Sequence, residues 1–300
     1  MCISINIPNV DRDDRIGSAF NHLFQVIIQT EKSQDKKMEW DMKAAAFFHP
    51  FYLAPLAIYK QTCENAVICK NIPKRIHGYL DLVKFENPLK ITEEMDFESI
   101  LKPYILKSYI PVCKFELCKS NVDSLQSILQ KVICKQSKAD DRVITPLSYL
   151  LGELIDNMNE HSKGKYGYIF SQYLKKEECI DLVVADDGIT IFSSYLQACK
   201  YLNEINGDEA IALKLATEGK STKNLPDTEN RGYGLSSSKD MLVNGLHGSF
   251  FILSGGAFHR HDSCGRITIK LPGTVYWNGT VILMRIPVHI PNNFNYNQYV

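Results

Sequence analysis

Glu153 and Asn157 stand four residues apart in LLGELIDNMNEHS (150–162), so on a helix they lie one turn above each other. An amide oxygen can ligate Mg²⁺, and a carboxylate one turn away can orient or deprotonate a water. The same spacing also suits a solvated helix face. Asp186, Asp187 and Gly188 close the buried-strand run in IDLVVADDGITIF (180–192). Carboxylates at the C-terminal end of such a strand line ligand crevices in α/β folds. An aspartate there can accept a hydrogen bond from an exocyclic amine such as that of adenine, although DDG alone also reads as an acidic turn. Gly232-Tyr233-Gly234 precedes a helical run at 235–244, where backbone N–H groups and the helix dipole can meet phosphate oxygens. Gly279-Thr280 leads into a strand of large apolar residues within NGTVILMRIP (278–287). His259, His261 and Cys264 have a spacing that could hold Zn²⁺, but no fourth ligand is evident.

The elements that must position these residues follow from periodicity. Ile3, Ile5 and Ile7 alternate as a strand, and Ile16, Phe20, Leu23, Phe24 and Ile27 repeat at helical spacing. After a polar loop at 31–37, the sequence predicts strand 42–48, helix 52–63, strand 66–70 and helix 74–83. Residues 86–106 read as a connecting segment and 108–117 as a strand. Ser120 or Asn121 is placed to cap a helix carrying Leu125, Ile128, Leu129, Val132 and Ile133. Thr145-Pro146 is read as opening the next helix, with proline at its first position and an apolar stripe of Leu147, Leu150, Leu151, Leu154 and Met158. Residues 205–231 read as a mobile cover, in which Lys220, Ser221, Thr222, Lys223 and Arg231 could meet phosphates. GSFFILSGG is a strand, HRHDSCGR a hairpin loop and PNNFNYNQYV a loose polar tail. The fold class is α/β (α+β). The expected domains are 1–112, a smaller α/β regulatory unit; 113–290, carrying the four motifs; and 291–300, the tail.

The 300 residues, 45% hydrophobic, suffice for two ordinary domains or one large one. Lys+Arg and Asp+Glu both number 34, so no basic footprint predicts nucleic acid. No run of about 18 apolar residues predicts a membrane span. Nine scattered cysteines without a CxxC pair, and an N-terminus unlike a signal peptide, point to free thiols in the cytoplasm.

The order of the four motifs resembles the N, G1, G2 and terminal Gly-Thr boxes of the GHKL ATPases (gyrase, heat-shock chaperone, histidine kinase, MutL), across about residues 120–290. The resemblance implies a Bergerat-type sandwich that binds ATP with Mg²⁺. Asn157 resembles the Mg²⁺ ligand and Glu153 the general base of hydrolysing members. Asp186 resembles the reader of the adenine amine, Gly188 the glycine beneath the base, and Thr280 the threonine that supports that aspartate through water. Gly232, Tyr233, Gly234 and Leu235 resemble the phosphate-contacting end of the ATP lid, with Lys223 and Arg231 as further candidates. His161 stands where kinases of this superfamily often carry a polar residue. Thr190 departs from the pattern by replacing the second glycine of the G1 box. No GxxxxGK[ST] loop is present. FFHPFYLAPLA and IHGYLDLVKF loosely resemble STAS-like modules found beside ATPase domains in bacterial regulators.

Three functions fit these residues. The first is an ATPase switch acting on the N-terminal unit or a regulatory partner protein. The second is a serine/threonine kinase like those that act on anti-sigma-antagonist proteins. The third is a nucleotide sensor or scaffold without turnover, whose oligomeric state, a homodimer for example, responds to ligand.

Overall fold

The computed structural model describes residues 3–10, 16–33, 37–63, 66–137, 141–222 and 233–299. The chain opens with three strand–helix pairs: β1 (Ile3–Asn6), α1 (Ile16–Glu31), β2 (Met38–Asp41), α2 (Pro50–Thr62), β3 (Val67–Lys70) and α3 (Lys74–Leu82). The strands form a wholly parallel sheet in the order β1-β2-β3. The second strand lies at 38–41 instead of 42–48. The apolar run AAAFF instead makes a turn, tied by Asn9 Oδ1, which accepts from the N–H groups of Ala46 and Phe47 (2.9 and 3.1 Å). Ala45 and Phe48 are buried there, so hydrophobicity marks burial of a turn and not a strand.

The rest of the chain builds one eight-stranded mixed sheet. Its elements are β4 (Leu89–Ile91), α4 (Phe97–Leu101), β5 (Tyr109–Glu116), α5 (Lys119–Ser137), α6 (Asp141–His161), β6 (Tyr166–Leu174) and β7 (Cys179–Asp186). There follow α7 (Ile191–Ala198), α8 (Leu202–Ile205), α9 (Glu209–Thr217), α10 (Tyr233–Asp240), a π-helical turn at Met241–Gly245, β8 (Ser249–Gly255), β9 (Ala257–Asp262), β10 (Gly265–Lys270) and β11 (Trp277–Pro287). The strand order is β10-β9-β8-β11-β7-β6-β5-β4, with only β4–β5 parallel. This sheet begins at Leu89, upstream of the division expected at 112/113, and the supposed connecting segment holds β4 and α4.

Alternation along the strands divides the core in two. Leu182, Val184, Ile252, Ile282 and Met284 face α5, α6 and the π-helical turn. Val183, Ala185, Phe251, Leu253, Val281 and Leu283 face the opposite way, into one core with α1, α2 and the small parallel sheet. α2 is buried on all sides from Pro50 to Tyr59, as a helix between two sheets must be. The ring of Tyr59 lies 6.4 Å from Trp40 of β2 and 6.1 Å from Trp277 of β11, spanning the two sheets. At the same junction, Arg285 grips the fully buried Asp181 through two 2.7 Å bonds. Its Nη2 also stands 3.1 Å from Nε2 of His49, the N-cap of α2.

Helix starts differ from the sequence reading. α5 begins before Asn121, whose side-chain amide donates back to Glu116 O at 3.0 Å from inside the first turn. α6 begins at Asp141, so Pro146 is interior. Near a helix start the missing proline N–H forfeits only one early hydrogen bond, and the helix tolerates it. Residues 291–299 are no loose tail. Phe294, Tyr296 and Tyr299 pack on the helical core, and a Cβ on Gly245 would meet Phe294 and Tyr299 at 2.8 and 3.0 Å. Among the described residues, no helix is long and apolar enough to cross a membrane.

Candidate functional site

Asp186 ends β7 on the helix-covered face of the large sheet. Its Oδ1 accepts from Gly188 N–H at 2.9 Å, and the Thr280 N–H of neighbouring β11 adds a second backbone donor. Burial pushes its carboxyl up to about 7, against these two N–H groups; the charge of Asp187 pushes the same way as burial. Three glycines let the backbone close around it. A Cβ on Gly279, whose φ is +80°, would meet the Asp186 backbone oxygen and lie 2.7 Å from its Oδ1. A Cβ on Gly188 would strike the Ser162 carbonyl, and one on Gly164 would lie 2.7 Å from Asp187 Oδ1. Gly188 therefore seats the strand-end loop on the C-terminus of α6, where Ile189 N–H donates to Ser162 O at 2.6 Å.

α6 contributes the other polar face. Its stripe Leu147, Leu150, Leu151, Leu154 and Met158 is buried as the spacing predicts, leaving Glu153 and Asn157 half-buried on another side. Asn157 Nδ2 is buried with no hydrogen-bond partner among the described residues. Such an orphan costs on the order of 1–3 kcal/mol. α10 crosses here: a Cβ on Gly234 would strike Glu153 Oε2 and lie 3.9 Å from Asn157 Nδ2. Gly234 lies inside the first turn of α10, which begins at Tyr233 and not after the glycine pair. Leu235 packs against the core beside it.

Thr280 and Thr190 have defined structural tasks. The Thr280 hydroxyl stands 3.1 Å from Ser254 Oγ. Thr190 caps α7 by accepting from Ser193 N–H at 3.1 Å. Lys220, Ser221 and Thr222 follow α9, whereas Lys223, Arg231 and Gly232 lie outside the described residues. His161 ends α6.

Ser254 escaped the sequence reading, and Asp187, read there only as a strand-end carboxylate, has a structural task. Asp187 fixes the loop after α6 by accepting from the N–H groups of Lys165 and Tyr166 (2.9 and 2.8 Å). Ser254 Oγ donates to Gly279 O and accepts from Ile191 N–H (2.9 and 3.0 Å), locking α7 to the Gly-Thr step. The only sequence signal for Ser254 is a hydroxyl ending an apolar strand. His259 and His261 lie on β9 instead of in a loop, and Cys264 is exposed in the following turn. His259 Nδ1 is engaged by Thr268 Oγ1 at 2.7 Å. Among the described residues, no three His, Cys, Asp or Glu side chains converge as metal ligands.

The Asp186 carboxyl, on a glycine-lined floor, can accept from an exocyclic amine, and the Asn157 amide beside Glu153 under the start of α10 leaves a buried N–H donor without a partner among the described residues. No protein-family model matches the chain, and no curated protein matches it.

Proposed function

We propose that the chain binds ATP with Mg²⁺ and hydrolyses it, as a GHKL-type nucleotide switch. The observation that carries this reading is Asp186: a buried carboxyl held by two backbone N–H groups at a strand end, over glycines that no side chain could replace. Asp186 accepts from the adenine amine, and Gly188 forms the floor beneath the base. Asn157 offers its amide oxygen to Mg²⁺, and the N-terminus of α10 faces the phosphates. Bound MgATP supplies the reactive phosphate. Glu153 Oε2 holds the proton of the attacking water, beside Gly234.

The eight-stranded sheet with α5, α6 and α10 on one face supports the Bergerat-type arrangement. Strand–helix alternation in the N-terminal layer supports the STAS-like resemblance at that level alone. The core shared by both layers favours a separate protein partner as the receiver of the signal. Free thiols at Cys69, Cys113, Cys179, Cys199 and Cys264 support a cytoplasmic location.

Thermal shift with ATP or ADP, with and without Mg²⁺, tests the reading. Ligand at about 100 times its Kd stabilises by ~2.7 kcal/mol. Wild type is expected to shift and Asp186→Asn to lose most of the shift. An equal shift in both would remove Asp186 from the site. A Glu153→Ala protein that turns ATP over as fast as wild type would remove hydrolysis by Glu153.

A further inference from the structure

Three polar side chains stand in a row across neighbouring strands of the large sheet. Ser254 of β8 pairs with Thr280 of β11. Thr280 lies one residue before Val281, which pairs with Ala185 of β7, so the same register sets Thr280 opposite Asp186. Residues directly opposite each other in antiparallel strands share a face. Ser254 is buried and Thr280 half-buried.

A serine hydroxyl has one proton to give and two lone pairs to fill. Ser254 Oγ lies 2.9 Å from the Gly279 carbonyl oxygen, which can only accept, so the Ser254 proton goes there. Ile191 N–H, which can only donate, occupies one lone pair at 3.0 Å. Thr280 Oγ1 stands at 3.1 Å, and with the Ser254 proton already committed it must be the donor. Ser254 is thereby fully satisfied, and the Thr280 hydroxyl has no proton left for the site. It presents lone pairs only, on the same face as the Asp186 carboxylate.

We propose that Ser254 is a specificity-determining residue: by taking the Thr280 proton it leaves an acceptor-only edge, Asp186 with Thr280, that admits a purine bearing an exocyclic amine and rejects one bearing an oxo group in its place. The proposal rests on the reading of Asp186 and Thr280 as the base-facing end of an ATP site. Adenine offers N–H donors at that position, whereas guanine offers a carbonyl oxygen. A carbonyl facing these lone pairs finds no donor, and polar groups left unpaired in a buried site discriminate strongly. Released from Ser254, the Thr280 hydroxyl can rotate and donate to such a carbonyl.

The test uses the full-length protein with Mg²⁺ at pH 8, where the Asp186 carboxyl is ionised. Calorimetry gives the affinities for ATP and for inosine triphosphate, which carries an oxo group instead of the amine. Wild type should prefer ATP. Ser254→Ala is expected to bind inosine triphosphate ~10-fold more tightly than wild type does, and ATP no more tightly. In Thr280→Val the adenine amine loses an acceptor, so ATP should bind ~10-fold more weakly while inosine triphosphate gains nothing. The Ser254→Ala gain should vanish in the double variant, where no hydroxyl is left to rotate. An unchanged ratio of the two affinities in Ser254→Ala overturns the proposal. So does a gain that persists in the double variant, because a merely loosened pocket would produce it. If Ser254→Ala does not fold, Thr280→Val decides, since its Ser254 keeps the bonds to Gly279 and Ile191: an unchanged ATP affinity there overturns the proposal. A wild type that binds both nucleotides equally overturns the proposal alone. One that binds neither overturns the ATP reading as well.

Discussion

Asp186 is ionisable where ionisation is expensive. Its folded carboxyl titrates near 7 against an ordinary value of 3.8. Below about pH 4 the group is neutral in both folded and unfolded chains and has no effect. Between about 4 and 7 the unfolded chain ionises while the folded one holds its proton, so stability falls as pH rises. Above 7 the full penalty remains, up to about 4 kcal/mol for a shift of that size. Asp186→Asn is therefore expected to equal wild type in urea unfolding at pH 4 and to exceed it at pH 8. A constant difference across pH would refute the burial argument. Since the carboxylate is the stronger acceptor, nucleotide affinity should rise from pH 6 to 8 in wild type and stay flat in Asp186→Asn.

The glycines of the site separate fold from function. A methyl at Gly188 meets the Ser162 backbone, which cannot move aside, so Gly188→Ala should cost more than about 2 kcal/mol in denaturant melts. At Gly234 the obstacle is the end of a flexible glutamate. Gly234→Ala should leave the melting temperature within a few degrees while displacing Glu153 and cutting ATP turnover ~10-fold or more. Turnover at the wild-type rate would show that Gly234 does not approach the reacting groups. The motif order made these glycines legible in the sequence; their opposing contacts were not, because Ser162 and Glu153 lie 26 and 81 residues away in the chain.

Among the elements, α2 is the one whose environment was least legible. Its apolar residues surround the whole helix, a pattern that marks burial between layers but names neither layer. At its N-terminus, His49 Nδ1 accepts from Phe51 N–H at 3.1 Å while Nε2 faces Arg285. Burial, with the Arg285 charge, holds this imidazole down to about 3, so it is neutral and has one acceptor nitrogen for two donors. The guanidinium is satisfied instead by Asp181. Arg285→Met leaves that carboxylate buried without its partner and should cost about 3–5 kcal/mol in urea unfolding. Adding Asp181→Leu should recover most of it. Non-recovery would mean that the pair does more than neutralise itself. The C-terminal segment was misread for a different reason. PNNFNYNQYV is polar by count, yet its aromatics at 294, 296 and 299 do the packing.

At the scale of the molecule, the N-terminal layer and the large sheet share one hydrophobic core. The chain has two tryptophans, Trp40 in the small sheet and Trp277 in the large one. Each reports on its own layer, so in each single-tryptophan variant, Trp40→Phe and Trp277→Phe, the fluorescence midpoint should coincide with that variant's own far-UV circular dichroism midpoint. Separated midpoints within one variant would mean two independent domains.

The sequence by itself determined the strand–helix alternation, the buried stripe of α6 and the order of the Glu-Asn, Asp-Gly, Gly-x-Gly and Gly-Thr motifs. These are local properties, set by periodicity and residue type. Tertiary structure alone decided that β4 joins the large sheet, that α2 fills the space between the sheets, and that residues 291–299 dock, with the Tyr296 ring edge-on to Tyr149 of α6. Hydrophobic pattern fixes which face is buried. Which surface covers it depends on contacts between residues far apart in the chain, and no local period records those.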